Sequence, residues 1–303
     1  MAKYAHRTIR LYTMHARSLD GVLDYADFTR KLASVDATAS IVEINSGMYM
    51  ALDNVRDDRN VYTAKVVVGH PDDVPLYFDY RTGNTETGQT PEGKWLAQVT
   101  RVVIDPDPDV RLVALEGTNA GATSARLAKY FEMLSDKQQW FRKLSFDLVP
   151  IPAKSLLDEI NDMERIREAA TVISRPNYDW SDMADGLSEL AAESGGHEAQ
   201  ASVKAARGES LAKDAGIVET IKESFSQATP SLKSFRIWGR KHGSSKEVMI
   251  SSEKNQERTT ASIPAGSDVS TVDGIVDAAA KDLIAANRSR AVANDDISDS
   301  HGS

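Results

Sequence analysis

The stretch from Arg111 to Pro152 constrains the fold most, because its hydrophobic period changes from two to 3.6 and back again. Leu112 to Leu115 is a short apolar, β-prone run halted by Gly117. Thr118, Asn119, Gly121 and Ala122 break the pattern, and Thr123 or Ser124 can cap a helix by accepting a hydrogen bond from a free N–H of its first turn. Leu127, Tyr130, Phe131 and Leu134 then recur at spacings of three and four, which places them on one apolar face. Leu144, Phe146 and Leu148 alternate with Ser145 and Asp147, so the spacing predicts a strand with one wet face, closed by Pro150 and Pro152. A strand–helix–strand unit of this kind forms the centre of a core. No side chain in it is an obvious reagent.

The flanking sequence supplies more strands than helices. His6–Met14 reads as an opening strand, and Val22–Leu32 as a short helix with Asp20 as N-cap. Ile41–Val55 reads as a hairpin turning at Asn45-Ser46-Gly47, and Val61–Val68 and Val99–Ile104 as further strands. Residues 70–93 are polar and broken by Pro71, Pro75, Gly83, Gly88 and Pro91, a long surface loop or functional arm. Beyond Pro152 come a short helix at Leu156–Ile160, a strand at Ile166–Ile173 and a helix at Trp180–Ala192. Residues 193–198 read as a linker. A helix over about Ala201–Gln227 is expected from Leu211, Ala215, Val218, Ile221 and Phe225, then a hairpin over Leu232–Ser252 and a helix over Ser270–Asn287. The expected fold is α+β: a mixed or antiparallel sheet with helices packed on it, in two lobes. The lobes are a β-rich domain at 1–193 and a helix–hairpin–helix lobe at 194–293, with a disordered acidic tail at 294–303.

Composition narrows the chemistry. The absence of cysteine excludes disulfides, thiolate catalysis and cysteine metal sites, and fits a reducing cytoplasm. Neither a signal peptide nor a run of membrane-spanning length is legible. A net charge of −9 argues against broad attraction to nucleic acid, so any such role must rest on a local basic patch.

The residues admit three enzyme readings. The six histidines are scattered, with no metal-ligand spacing. The turn from Gly117 to Ser124 precedes a helix, where backbone N–H groups can hold phosphate, but it lacks the Gly-Lys-Ser/Thr ending that supplies charge and a magnesium ligand. Asp72, Glu92 and Lys94, with Asp105, Asp107 and Asp109 downstream, carry the residue types of a metal-dependent nuclease. Glu92 and Lys94, however, flank a glycine in a loop where rigid placement is needed. The basic features are more suggestive. Between Ser231 and Arg258 lie seven Lys and Arg against three Glu, with Phe235 and Trp238 interleaved. A hairpin bearing Lys233, Arg236, Arg240, Lys241 and Lys246 can follow a phosphate backbone, or it can be an ordinary solvated hairpin.

The order of an apolar strand, Glu116-Gly117, a small polar turn, a helix with Leu127 and Tyr130-Phe131, a strand ending LVPIP, then Ile160, Met163, Ile166 and a β-branched strand resembles the RexA-type exclusion proteins of temperate phages, over about Val110–Asn177. That resemblance implies a homodimeric two-domain α+β protein with a fold related to the ring-forming recombination-associated protein RdgC. It further implies non-specific binding of double-stranded DNA and a RexB-like membrane protein as partner in exclusion of superinfecting phage; the residues themselves point to no cofactor or metal. The family supplies no residue for the DNA contact, because the basic hairpin lies outside the matched region. The expectation is therefore a non-enzymatic DNA-binding dimer using Lys233, Arg236, Arg240, Lys241 and Lys246. A nuclease effector using Asp72, Glu92 and Lys94 is the rival, and a sensor that engages a phage product through the 70–93 loop is the third reading.

Overall fold

The computed structural model describes residues 3–298 apart from 72, 80, 82, 119, 175–192, 195, 197 and 227–231, so the helix expected at Trp180–Ala192 lies outside the described residues. The fold is α+β. Its main sheet is antiparallel and has nine strands. Along its main path the order is β10 (Ser145–Pro150), β1 (Tyr4–Ser18), β9 (Leu112–Glu116), β8 (Leu96–Asp105), β5 (Val61–His70), β4 (Met48–Asp58) and β3 (Val42–Asn45). The long strand β1 is the seam. One edge pairs β9; the other pairs β15 (Arg258–Pro264) over Tyr4–Arg10 and then β10 over Tyr12–Arg17. A two-residue strand, β2 (Gly21–Val22), closes its far end. The β4–β5 hairpin turns through Arg59 and Asn60, both at positive φ, the twist a two-residue hairpin loop requires.

Alternation along the strands builds a core on each face. On one face, Tyr12, Met14, Val113, Leu115, Phe146 and Leu148 pack with α1 (Tyr25–Ser34) and α2 (Ser124–Gln138). Phe28 of α1, Phe131 of α2 and Phe146 of β10 meet with ring centroids 5.2–5.4 Å apart, in tilted and edge-on contacts that rings prefer. The α2 face expected from the spacing, Leu127, Tyr130, Phe131 and Leu134, is fully buried, and Thr123 is its N-cap. On the other face, Ile9, Leu11, Leu112, Ala114, Ala261 and Ile263 pack against the C-terminal helix. That helix runs Val269–Ser298, past the end expected at Asn287 and into the expected tail. Residues 299–303 lie outside the described residues.

A second, four-stranded antiparallel sheet has the order β12 (Glu198–Lys204), β11 (Met163–Ser174), β13 (Ser234–Lys241), β14 (Glu247–Ser251). The helices α3 (Leu156–Asn161) and α4 (Gly216–Ser226) pack on it; the C-terminal helix is thus α5. This unit occupies residues 153–257 and is inserted into the first. The outgoing and returning strands of chain are bonded side by side: Ala153 N–H donates to the Asn255 carbonyl at 2.7 Å, and Glu257 N–H to the Ile151 carbonyl at 2.7 Å. Sheet membership therefore cuts across the boundary expected at 193/194. The segment before it, β11, pairs with strands after it, while β15 and α5 return to the first sheet.

Three local expectations are corrected. The helix expected over Ala201–Gln227 is a strand through Lys204 and a helix only from Gly216, because β11 offers its edge to Ala199–Val203 and Gly208 and Gly216 adopt positive φ between them. The N-cap of α1 is Asp24, whose carboxylate accepts from Asp27 N–H at 2.9 Å. Within the expected 70–93 loop, a separate hairpin pairs β6 (Leu76–Asp79) with β7 (Asn84–Thr87).

Candidate functional site

A concavity lies where the two units meet. It is a half-open cleft of about 750 Å³. Its floor is the α2-side face of the main sheet, from Tyr12 and Leu115 to Phe146, Leu148 and Pro150. One wall is the first two turns of α2 with the Gly117-Thr118 loop; the other is Lys233-Ser234 and the returning segment Glu253, Lys254 and Gln256. The loop wall is tightly packed. Thr100 Oγ1 accepts from Ala122 N–H at 2.9 Å, and Thr118 Oγ1 accepts from Gly121 N–H at 3.0 Å. A Cβ at Gly121 would stand 2.1 and 2.2 Å from those two hydroxyls, so the turn needs glycine.

Beside this cleft two arginines face each other without compensation. β1 and β15 pair with Arg10 directly opposite Arg258. Ile9 and Leu11 face α5, so Arg10 lies on the opposite face, and Arg258 with it. Like charges opposed across a strand pair destabilise a sheet. Among the described residues neither arginine has a carboxylate within ion-pairing distance, and the same holds for Lys254, which is exposed. Arg10 lies across Gly117, where an added Cβ would come within 2.8 Å of its Nη1. The first turn of α2 carries no acidic residue; it carries Arg126, which donates to the Gly121 carbonyl at 3.1 Å. The helix terminus thus adds its positive end to the same neighbourhood. Of the carboxylates lining the cleft, Glu132 accepts from Phe146 N–H at 2.8 Å and Asp147 pairs with Lys233 at 2.9 Å, while Glu253 is exposed; the Glu116 carboxylate turns to the opposite face toward Arg101.

The expected hairpin residues separate into two groups. Lys233 bridges Asp147 of the first sheet and Glu198 of the second. Burial opposes its charge, but the two carboxylates outweigh burial and raise its pKa. It clasps the units together, and it buries the Asp147 that the alternation places on a wet face. Arg240 pairs with Glu164 and Lys241 with Glu159, each at 3.3 Å. Arg236 and Lys246 are exposed and have no carboxylate partner among the described residues. Three of the five expected cations are therefore neutralised locally.

The nuclease letters are not brought together. Glu92 and Lys94 are exposed on a turn, and Asp72 lies outside the described residues. Asp105 and Asp107 are tied to Arg288 of α5 at 3.5 and 2.7 Å. No group of three His, Asp or Glu among the described residues is placed to hold a metal.

Behind the cleft, on the other face of β8 and β9, sits a buried charge network. Arg101 donates to Glu116 at 2.8 Å and to Asp273 of α5 at 2.7 Å, and Lys65 also pairs Asp273. Burial works against the Asp273 carboxylate, but hydrogen bonds from Lys65 and Arg101 hold its pKa below the usual range.

The model of the family described as Domain of unknown function (DUF4747) matches residues 104–277. The chain belongs to that family. The DUF4747 match runs from the end of β8 into α5, so it takes in β9, α2, the whole inserted unit and β15. It therefore includes both walls of the cleft and Arg258, while Arg10 lies before it. No curated protein matches the sequence. Among the described residues no helix is long and apolar enough to cross a membrane.

The sequence pointed to cations of the returning segment but not to Arg10. The signal was present in the register: Arg10 stands between Ile9 and Leu11 in an alternating strand, so it must leave the face those two bury.

Proposed function

We propose that this chain is a non-specific double-stranded DNA-binding protein that acts as a homodimer. The reading is carried by one observation: Arg10 and Arg258 are held opposite each other on a solvent-facing strand pair with no carboxylate among the described residues to neutralise them. Such a pair is relieved when an anion sits between the two charges, and a phosphate backbone presents anions without regard to sequence. Lys254, Arg126 and the amino end of α2 supply further positive potential, and Arg236 and Lys246 extend it onto the inserted unit. The role in phage exclusion, with a RexB-like membrane partner, rests on the resemblance over about Val110–Asn177.

The test is a gel-shift titration of the purified chain against an arbitrary duplex at several salt concentrations, with and without magnesium. Contacts to about four phosphates give a log–log salt slope near −3.6, and each lost contact reduces it by about 0.9. The double reversal Arg10→Glu with Arg258→Glu is expected to abolish the shift at moderate salt. Reversing Arg240 and Lys241 is expected to have little effect, because Glu164 and Glu159 already neutralise them. No shift at low salt, or unchanged binding by the Arg10/Arg258 variant, would overturn the reading. Cleaved DNA in the magnesium lanes would replace it with the nuclease.

A further inference from the structure

The cleft is amphiphilic in a way that simple backbone binding does not require. Its floor is lined by apolar groups, Leu115, Phe146, Leu148 and Pro150 among them, while Arg10 and Lys254 stand at its rim. Its volume, about 750 Å³, is that of a pocket enclosing a small ligand. In a duplex the bases are stacked inward, so only phosphates can reach such a rim and the floor stays empty. An unpaired nucleotide has both parts: a phosphate for the cations and a base face for an apolar floor. Of the carboxylates around the cleft, Glu132 and Asp147 are bonded and Glu116 is turned to the opposite face toward Arg101, which leaves the exposed Glu253 beside Lys254.

We propose that the cleft between α2 and the inserted unit takes an unpaired nucleotide of a single strand, with the phosphate on Arg10 and Lys254 and the base over the Leu115–Phe146–Leu148 floor. This rests on the nucleic-acid reading above and deepens it: the arginine face grips backbone, and the cleft selects strands whose bases are free. Ser124, which lines the α2 side, offers a hydroxyl to the sugar or base edge.

Fluorescence anisotropy of the full chain with labelled single-stranded and duplex oligonucleotides of equal length, at matched salt, tests it. Single strands are expected to bind about tenfold more tightly than duplex, the scale of one favourably placed base. Ala125→Trp, at an exposed position on the cleft wall, fills the space and is expected to erase that preference while leaving duplex binding intact. Duplex binding by the variant shows that it is folded. Equal affinity of the native chain for both forms, or a preference that survives Ala125→Trp, would overturn the cleft assignment while leaving the DNA-binding reading standing. Failure to bind either form would overturn the nucleic-acid reading and the cleft proposal with it.

Discussion

Replacing Arg101 by alanine tests the charge network that seats α5. Its guanidinium makes hydrogen bonds from Nε and Nη2 to Asp273 and from Nη1 to Glu116. Glu116 is 1% exposed, so Arg101→Ala leaves a carboxylate almost without access to water. Removing one partner of a buried pair costs about 3–5 kcal/mol, because the remaining charge stays desolvated. Some compensation survives: Lys65 remains on Asp273, the residue 101 N–H still reaches Glu116 Oε2 at 3.1 Å, and Arg7 stands 3.7 Å from the other oxygen. These put the expected loss at the lower end, about 3 kcal/mol. For a urea slope of about 3 kcal/mol/M, the unfolding midpoint falls by about 1 M. Tryptophan fluorescence during urea titration reads this directly. The triple variant Arg101→Met, Glu116→Gln, Asp273→Asn removes the charges together and is expected to recover most of the loss, since no unpaired ion remains. A loss below about 1 kcal/mol for Arg101→Ala would refute the argument that Glu116 depends on it.

Three further outcomes follow from the described contacts. Burial raises the Asp277 pKa despite the nearby Arg56, so its neutral form is favoured in the fold and stability is lost as pH rises through that pKa; Asp277→Asn is expected to raise the melting temperature at pH 7 and to have little effect below the unfolded pKa of about 4. Burial, with Arg111 beside it, holds the His15 pKa well below its ordinary value, so the unfolded chain takes up a proton that the fold refuses; stability is expected to fall below about pH 6.5, and His15→Phe to flatten that fall, with parallel pH profiles as the refuting result. Gly121→Ala drives a Cβ into the Thr100 and Thr118 hydroxyls, and a loss of about 1–3 kcal/mol by thermal or urea unfolding is expected; unchanged stability would mean the turn yields more easily than its packing suggests.

The local elements were largely legible, because each leaves its period in the chain. The strand at Leu112, the α2 face and the alternation from Leu144 to Leu148 depend on neighbours within a few residues. What failed depended on partners far away in sequence. β15 was not expected as a strand, yet it pairs a segment some 250 residues earlier, and nothing near Arg258 signals this. The period from Leu211 to Phe225 overstated a helix because the Ala199–Lys204 segment is drawn to the β11 edge. The same limit governed the site. Local charge counting finds Lys233, Arg240 and Lys241 but not the carboxylates at positions 147, 164 and 159 that neutralise them. It also passes over Arg10, whose importance arises only when β15 brings Arg258 opposite.

How a chain of net charge −9 can present a locally cationic surface follows from the same alternation. β8 and β9 carry different chemistry on their two faces. Thr100 and the Gly117-Thr118 turn build the cleft wall, while the adjacent Arg101 and Glu116 turn to the α5 face. Asp273 reaches the network from α5, and Asp105 and Asp107 are occupied by Arg288 of that helix. These acids are screened from the cleft by the sheet and by cations of their own. On the β1–β15 face the pairs Thr8–Thr260 and Arg10–Arg258 contribute hydroxyls and positive charge without a carboxylate. At a Debye length of about 8 Å, an incoming phosphate responds to charges on the face it approaches far more than to the total. The net charge then governs solubility and weakens long-range attraction, whereas the disposition of charge around β1, β15 and α2 governs what can bind.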